Sequence, residues 1–340
     1  MTEKPIAVFR CDAKPEIGGG HVYRCLTLAN ALHEHGWTCL FISNAQALEL
    51  VPALNSCAHD VEVIDNADLS QPFSPKAYQG TKVALAVIDH YGIDQAVEKQ
   101  CRVWAKKVMV IDDLANRPHE CDVLLDQTFG RKPESYADLV PSECLLLLGA
   151  EYCLLRPEFA DYRASSLERR DALTAMKTVS VSFGATDPFN LSGTVVEALT
   201  EIETPLDVHI ITPHDPPEAV AKAPQHTFRF SKHVGEMWTE MHDADLAIGA
   251  SGTTSWERCT LGVPSVMITT ADNQVLIAQN LHDSGAALYL GTQETVLGAE
   301  LSKCLAALCS DPHELQRYSK NARTICDGQG ANKVVEALAH

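Results

Sequence analysis

Positive charge is what this chain has least of. Its 27 lysines and arginines face 45 aspartates and glutamates, a formal charge of -18. That balance argues against nucleic acid or an anionic membrane as a partner, and any phosphate site must rely on backbone N–H groups. No apolar run approaches the length of a membrane helix, and Met1-Thr2-Glu3-Lys4-Pro5 puts no basic segment ahead of an apolar one. A soluble, cytoplasmic protein is therefore expected. The twelve cysteines include no Cys-x-x-Cys pair, so reduced, mostly buried thiols such as Cys39 and Cys259 are expected rather than a zinc or disulfide framework. Low-complexity segments are lacking as well. So are a dinucleotide fingerprint and a P-loop lysine with its hydroxyl, which excludes the two commonest glycine-rich nucleotide loops.

What is present fits two domains. The chain has 340 residues, of which 46% are apolar and 21% charged, a globular composition. Short apolar runs at Ile6 to Phe9, Cys39 to Ile42, Val61 to Ile64, Val83 to Ile88, Val108 to Ile111 and Leu145 to Leu148 read as strands buried on both faces of a parallel sheet. Helical patterns such as Gln95 to Lys106 lie between them. The periodicity dissolves from about Gly149 to Arg170 and then restarts with strands at Val179 to Phe183, Val208 to Ile211, Phe228 to Phe230, Leu246 to Ile248 and Ser265 to Ile268. The expected organisation is an N-terminal α/β domain over 1–155, a linker over 156–170 and a second α/β domain over 171–312. A helical tail over 313–340 folds back on the first domain.

Ligands in such sheets collect beyond the carboxyl ends of the strands. The first joint is Ile17-Gly18-Gly19-Gly20-His21-Val22-Tyr23-Arg24, between the first strand and a helix whose apolar positions Val22, Leu26, Ala29 and Leu32 run until Gly36. A Gly-rich turn here either lets helix and sheet pack closely or clears space for a ligand. His21 falls at the helix N-terminus, where the dipole disfavours imidazolium and a neutral imidazole is a usable general base. Asp12 follows the first strand, Asp89, His90 and Tyr91 the fourth, and Asp112 with Asp113 the fifth. Each carboxylate there is either a helix or turn cap or a ligand.

Two joints in the second half resemble the first. Gly184-Ala185-Thr186-Asp187-Pro188-Phe189-Asn190 is a small-residue turn entering a helix. Gly249-Ala250-Ser251-Gly252-Thr253-Thr254 offers donors to a diphosphate without basic side chains. One turn further on, Glu257 is placed either to accept a ribose's two hydroxyls or merely to complement the helix dipole. Asn273 and Gln274 open a later helix and reach toward the same ligand.

The joints together resemble the GT-B architecture, an α/β class with two doubly wound parallel-sheet domains facing across a cleft. More closely, Arg10-Cys11-Asp12-Ala13 with the glycine and histidine joint resembles the UDP-2,4-diacetamido-2,4,6-trideoxy-β-L-altropyranose hydrolases of pseudaminic acid biosynthesis. So do Ile88-Asp89-His90-Tyr91, Ile111-Asp112-Asp113-Leu114-Ala115, Leu154-Leu155-Arg156-Pro157-Glu158-Phe159, Ser182-Phe183-Gly184 with Asp187-Pro188 and Asn190, Trp256-Glu257-Arg258-Cys259 and Asn273-Gln274. Cys11, Lys14 and Ala185 depart from that pattern. The resemblance implies a UDP-sugar substrate, inverting hydrolysis at the anomeric carbon, and no cofactor or metal. It implies His21 as the base, Asp12 as its orienter, and Asp89, Tyr91 and Asn273 at the acetamido groups. Gly19 and Gly20 clear space for the sugar. The turn at Ser251, Gly252, Thr253 and Thr254 stabilises the leaving diphosphate, Glu257 accepts from the ribose, and Gly184, Asn190 and Gln274 are further substrate-binding residues. The alternatives are a GT-B glycosyltransferase using the same donor, a hydrolysing 2-epimerase, and a non-catalytic nucleotide-sugar binding protein.

Overall fold

A computed structural model describes residues 4–14, 18–64, 69–296 and 298–339. Ile17, the first residue of the glycine and histidine joint, and Met1-Thr2-Glu3 lie outside the described residues. The chain divides into two units, Met1–Leu155 with Gln329–His340, and Arg156–Gly328.

The first unit is a seven-stranded parallel sheet of β1 (Ile6–Cys11), β2 (Thr38–Ser43), β3 (Asp60–Val63), β4 (Val83–Asp89), β5 (Ala105–Ile111), β6 (Val123–Asp126) and β7 (Leu145–Leu148). The strands lie in the order β3-β2-β1-β4-β5-β6-β7. Its helices are α1 (Gly20–Glu34), α2 (Ala45–Leu50), α3 (Pro52–Ser56) and α4 (Gln95–Cys101). Apolar residues run along the central strands because helices cover both faces. On β1, Ala7, Phe9 and Cys11 pack into a core with Val22, Leu28 and Leu32 of α1. Val8 faces the opposite core with Val97 and Cys101 of α4. Side chains cap the turns: Asn44 accepts the Ala47 N–H at the start of α2, and Asp94 those of Ala96 and Val97 at the start of α4.

The second unit has six parallel strands, β8 (Thr178–Ser182), β9 (Asp207–Ile211), β10 (Thr227–Ser231), β11 (Leu246–Gly249), β12 (Ser265–Thr269) and β13 (Leu288–Thr292), in the order β10-β9-β8-β11-β12-β13. Its helices are α5 (Pro157–Asp171), α6 (Leu191–Leu199), α7 (Met237–Asp243), α8 (Thr254–Thr260), α9 (Asp272–Asp283), α10 (Gly298–Ser310) and α11 (Pro312–Ala322). The chain then returns to the first unit as α12 (Gly330–Leu338), where Val334, Val335 and Leu338 join the core beside α1.

The expected linker over 156–170 is instead a helix of the second unit, begun by Pro157 at its first turn. It has no wide apolar stripe because arginines fix it. Arg170 donates to the carbonyls of Met241, His242 and Ala244, and Arg163 to those of Thr260, Arg323 and Cys326. The expected 313–340 tail is likewise divided, since α11 belongs to the second unit and α12 to the first.

In each sheet the strand order reverses once, between β1 and β4 and between β8 and β11. These are the points where a doubly wound sheet opens a crevice beyond its carboxyl ends. Pairing sets what meets there, for Cys11 lies opposite Asp89 and Ser182 opposite Gly249.

Candidate functional site

At the first reversal, α1 begins immediately after the β1 turn and brings His21 against the end of β4. Its Nδ1 lies 2.5 Å from Asp89 Oδ1, across 68 residues of sequence. A carboxylate only accepts, so Nδ1–H donates to Asp89 and the lone pair is on Nε2. Nε2 has no hydrogen-bond partner among the described residues, and His21 is 7% exposed. The Tyr91 ring meets the imidazole edge-on, with centroids 4.7 Å apart.

Arg24 stands one turn along α1, on the same face as His21. It clamps Asp89 from the other side, Nε to Oδ2 and one terminal nitrogen to Oδ1, both at 2.6 Å. Burial alone would raise the Asp89 carboxyl, but the charges and hydrogen bonds of Arg24 and His21 outweigh it and hold the group well below the usual carboxylate range. Arg24 also reaches Asp113 Oδ2 at 3.2 Å, and the Tyr91 hydroxyl donates to Asp113 Oδ1 at 2.8 Å. Burial and the Asp113 carboxylate push the Tyr91 phenol up, so it remains a donor.

Two expectations change here. Asp12 makes no contact with His21 among the described residues, and its oxygens are held by other groups. Arg10 grips both at 2.6 and 2.8 Å, and the Asn44 N–H donates to Oδ1 at 2.8 Å. His90 Nε2 lies 3.3 Å from Oδ2. Asp89, expected at an acetamido group, is fully buried and is the residue that holds the imidazole. Arg24 and Arg10 are participants to which the sequence assigned no role, while His90 and Asp113 were expected only as strand-end residues without a place in the site. The three-residue spacing of His21 and Arg24 was the available signal. Gly18 adopts φ +71°, which favours glycine. A side chain at Gly20 would meet nothing within 4 Å, so packing is not what excludes one there.

The second reversal is built from small groups. A Cβ at Gly249 would collide with the Ser182 carbonyl oxygen. Arg258 is buried beneath the turn and donates to the carbonyls of Ala250 and Thr254 at 2.5 and 3.2 Å. Burial pushes its guanidinium down to about 10. The N–H groups of Gly252 and Thr253 find no acceptor among the described residues, and Thr253 and Thr254 are exposed. Ser251 is buried instead, its hydroxyl donating to the Gln274 carbonyl at 3.0 Å. Gln274 turns its side-chain oxygen to the Thr270 N–H and hydroxyl. Both residues thus brace the turn, while Asn273 is exposed beside them at the start of α9. Gly184, with φ +91°, is exposed, and so is Asn190 at the N-cap of α6. The helix is capped by Asp187, which accepts the Leu191 and Ser192 N–H groups. Burial raises the half-buried Glu257 carboxyl to about 7 despite Arg156 and Arg258 nearby. A cavity of about 220 Å³ lies beside the turn, lined by Phe183, Gly184, Met237, Thr253, Arg258 and Gln274 among others. No cluster of metal-ligating side chains and no helix long and apolar enough to cross a membrane occurs among the described residues.

The family model described as the glycosyltransferase family 28 C-terminal domain matches residues 178–337. The chain is 29% identical over 187 residues to the UDP-2,4-diacetamido-2,4,6-trideoxy-β-L-altropyranose hydrolase of Campylobacter jejuni, covering 54% of this chain and 62% of that protein. It is 25% identical over 345 residues to the spore coat polysaccharide biosynthesis protein SpsG of Bacillus subtilis, covering 96% of each. An uncharacterized protein of Methanocaldococcus jannaschii is 25% identical over 268 residues, 76% of this chain and 54% of that one. The chain thus spans about half of the archaeal relative and under two thirds of the Campylobacter one. Among solved structures, MurG of Acinetobacter baumannii superposes with a TM-score of 0.72 at 18% identity, over 98% of this chain and 99% of that one. UGT2 of Phytolacca americana gives 0.69 at 11% identity, over 99% of each. The expected fold class holds: two parallel-sheet α/β units of the GT-B kind. The hydrolase resemblance read from the motifs reappears in the Campylobacter relative.

Proposed function

We propose that the protein is a nucleotide-sugar hydrolase. Its substrate is UDP-2,4-diacetamido-2,4,6-trideoxy-β-L-altropyranose, from which it releases UDP and the free sugar with inversion. The observation that carries the reading is the His21 and Asp89 pair, whose Nδ1 contact leaves Nε2 as the acceptor. Water attacks the anomeric carbon, His21 Nε2 takes the water's proton, and the C–O bond breaks with its electron pair going to the β-phosphate oxygen. Asp89 fixes the ring and stabilises the imidazolium as it forms, as the acid does in a catalytic triad. The second unit holds the nucleotide. The Gly252 and Thr253 N–H groups take up charge gathering on the leaving diphosphate, and Glu257 accepts from the ribose hydroxyls. Because Asp12 and Asp89 are occupied, sugar recognition in the first unit falls to Tyr91 and to the open space over Gly20, whereas a side chain at Gly19 would collide with Val51, so that glycine serves packing rather than clearance. The reaction needs no metal, so turnover persists in EDTA.

The match of residues 178–337 to a glycosyltransferase domain favours a second reading, transfer of the sugar to a hydroxyl acceptor. One experiment separates the two. UDP release is measured over a panel of UDP-sugars in H₂¹⁸O, with NMR of the product anomer. Label entering free sugar of inverted configuration, from the 2,4-diacetamido substrate alone, supports hydrolysis. Strict dependence on an added acceptor overturns it, and so does deuterium entry at C2 in D₂O, the mark of a 2-epimerase.

A further inference from the structure

No disulfide joins the twelve cysteines, and the proposed reaction uses none of them as a reacting group, although the Cys25 thiol lies against Asp89 at 3.7 Å. One pair has a geometry that sets it apart. Cys121 precedes β6 and Cys144 precedes β7, and the parallel pairing of these strands, Val123 opposite Leu145, brings the two Sγ atoms to 3.6 Å. Cys121 is 1% exposed, whereas Cys144 is half-buried and reachable. Cys11 and Cys25, by contrast, are both fully buried. The hydrogen bond from Cys121 lowers the Cys144 thiol, and the same bond with burial raises Cys121. The accessible sulfur thus has a second thiol directly behind it, the arrangement of a reactive cysteine and its resolving partner.

We propose that Cys144 and Cys121 form a peroxide-reactive dithiol that closes to a disulfide at the amino ends of β6 and β7, the opposite strand ends from His21. The Cys144 thiolate attacks one oxygen of hydrogen peroxide. The O–O bond breaks, leaving Cys144 as the sulfenic acid and the departing hydroxide, once protonated, as water. Cys121 gives up its proton and its sulfur attacks the Cys144 sulfur, while the S–O bond breaks and the hydroxyl leaves with that proton as a second water. Two thiols are oxidised and one peroxide is reduced to two waters. The sulfurs close from 3.6 Å to about 2.05 Å.

The bridge links residues 23 positions apart, and the enclosed segment supports the strand ends above it. The Tyr136 hydroxyl lies between the Asp112 and Asp126 carboxylates, 3.0 and 2.9 Å from their oxygens, and Arg131 donates to the Asp113 carbonyl. Closing the loop constrains the unfolded chain without displacing these contacts. The inference does not depend on the proposed reaction.

The test treats the full chain with one equivalent of hydrogen peroxide. Thiols are counted under denaturing conditions, and the linkage is located by tandem mass spectrometry before and after dithiothreitol. The expected result is a fall from twelve thiols to ten, a reducible link between Cys121 and Cys144, and a thermal midpoint about 5 °C higher. Cys144→Ser abolishes the link, and Cys121→Ser leaves a Cys144 sulfenic acid trapped by dimedone. Linkage to any other cysteine overturns the proposal, as does Cys144 driven to the sulfinic acid with Cys121 still reduced. If a variant fails to fold, the linkage map of the parent protein decides alone.

Discussion

The two units place their chemistry at the same point of the same fold and build it from opposite materials. Beyond β1 and β4 the first unit packs charged side chains that satisfy one another: Arg10 with Asp12, and Arg24 with Asp89 and Asp113. Beyond β8 and β11 the second unit offers glycines, threonines and backbone N–H groups, and the buried cation beneath that turn, Arg258, grips carbonyls rather than a carboxylate. A base must keep one ring nitrogen aimed at a reacting atom, so it needs partners of fixed charge and geometry. A diphosphate site needs close backbone approach and outward N–H groups, so it needs small residues.

Breaking the first unit's arrangement has the largest expected effect. His21→Ala lowers kcat by about 10² to 10⁴ in a protein of unchanged circular dichroism; a parental rate in that variant removes His21 as the base. Asp89→Asn comes next. It lets the ring take the wrong tautomer and leaves Arg24 partly unpaired, so kcat falls about 10²-fold and unfolding in urea shifts by about 3 kcal/mol. An unshifted urea midpoint in that variant would mean that the Arg24 clamp is not a stabilising pair.

Gly249→Ala attacks the second unit's dependence on smallness. The added methyl must displace the Ser182 carbonyl, costing about 2 kcal/mol of stability and weakening UDP binding. Calorimetry of free and UDP-bound protein reads both, and a silent substitution would mean that the turn tolerates bulk. The smallest effect is at Glu257. Its carboxyl is raised to about 7, so the better acceptor, the carboxylate, gains population as pH rises through 7. UDP affinity therefore increases from pH 6 to 8 by about fivefold. Glu257→Gln flattens that profile, and a profile left unchanged in the variant removes the ribose contact. For folding the sign is opposite. A carboxyl whose pKa is raised in the fold loses stability as pH climbs from 4.5 to about 7, because the unfolded chain ionises first.

Much of the architecture was legible because buried parallel strands are near-continuous apolar runs. The runs at Val83 to Ile88 and Val108 to Ile111 fall within β4 and β5. Two strands escaped. β6 is only four residues long and ends in Asp126, a residue that reads as a turn cap. β13 is an edge strand, half-buried along its length, with a glycine at its fourth position. Helix α5 escaped because arginine hydrogen bonds to distant carbonyls fix it, and these leave no periodic trace.

By itself, then, the sequence determined the class of fold, the positions of the small-residue joints and the presence of His21 at the first of them. Local rules govern all three: hydrophobic periodicity, the φ range open to glycine, and the helix start. Only the tertiary structure decided which carboxylate serves the histidine. Asp12 and Asp89 both end strands next to the same turn, and sequence proximity favours Asp12. The order of strands sets β4 beside β1, and Arg10 occupies Asp12 from its own strand, so Asp89, 68 residues from His21, is the acid that remains to hold it.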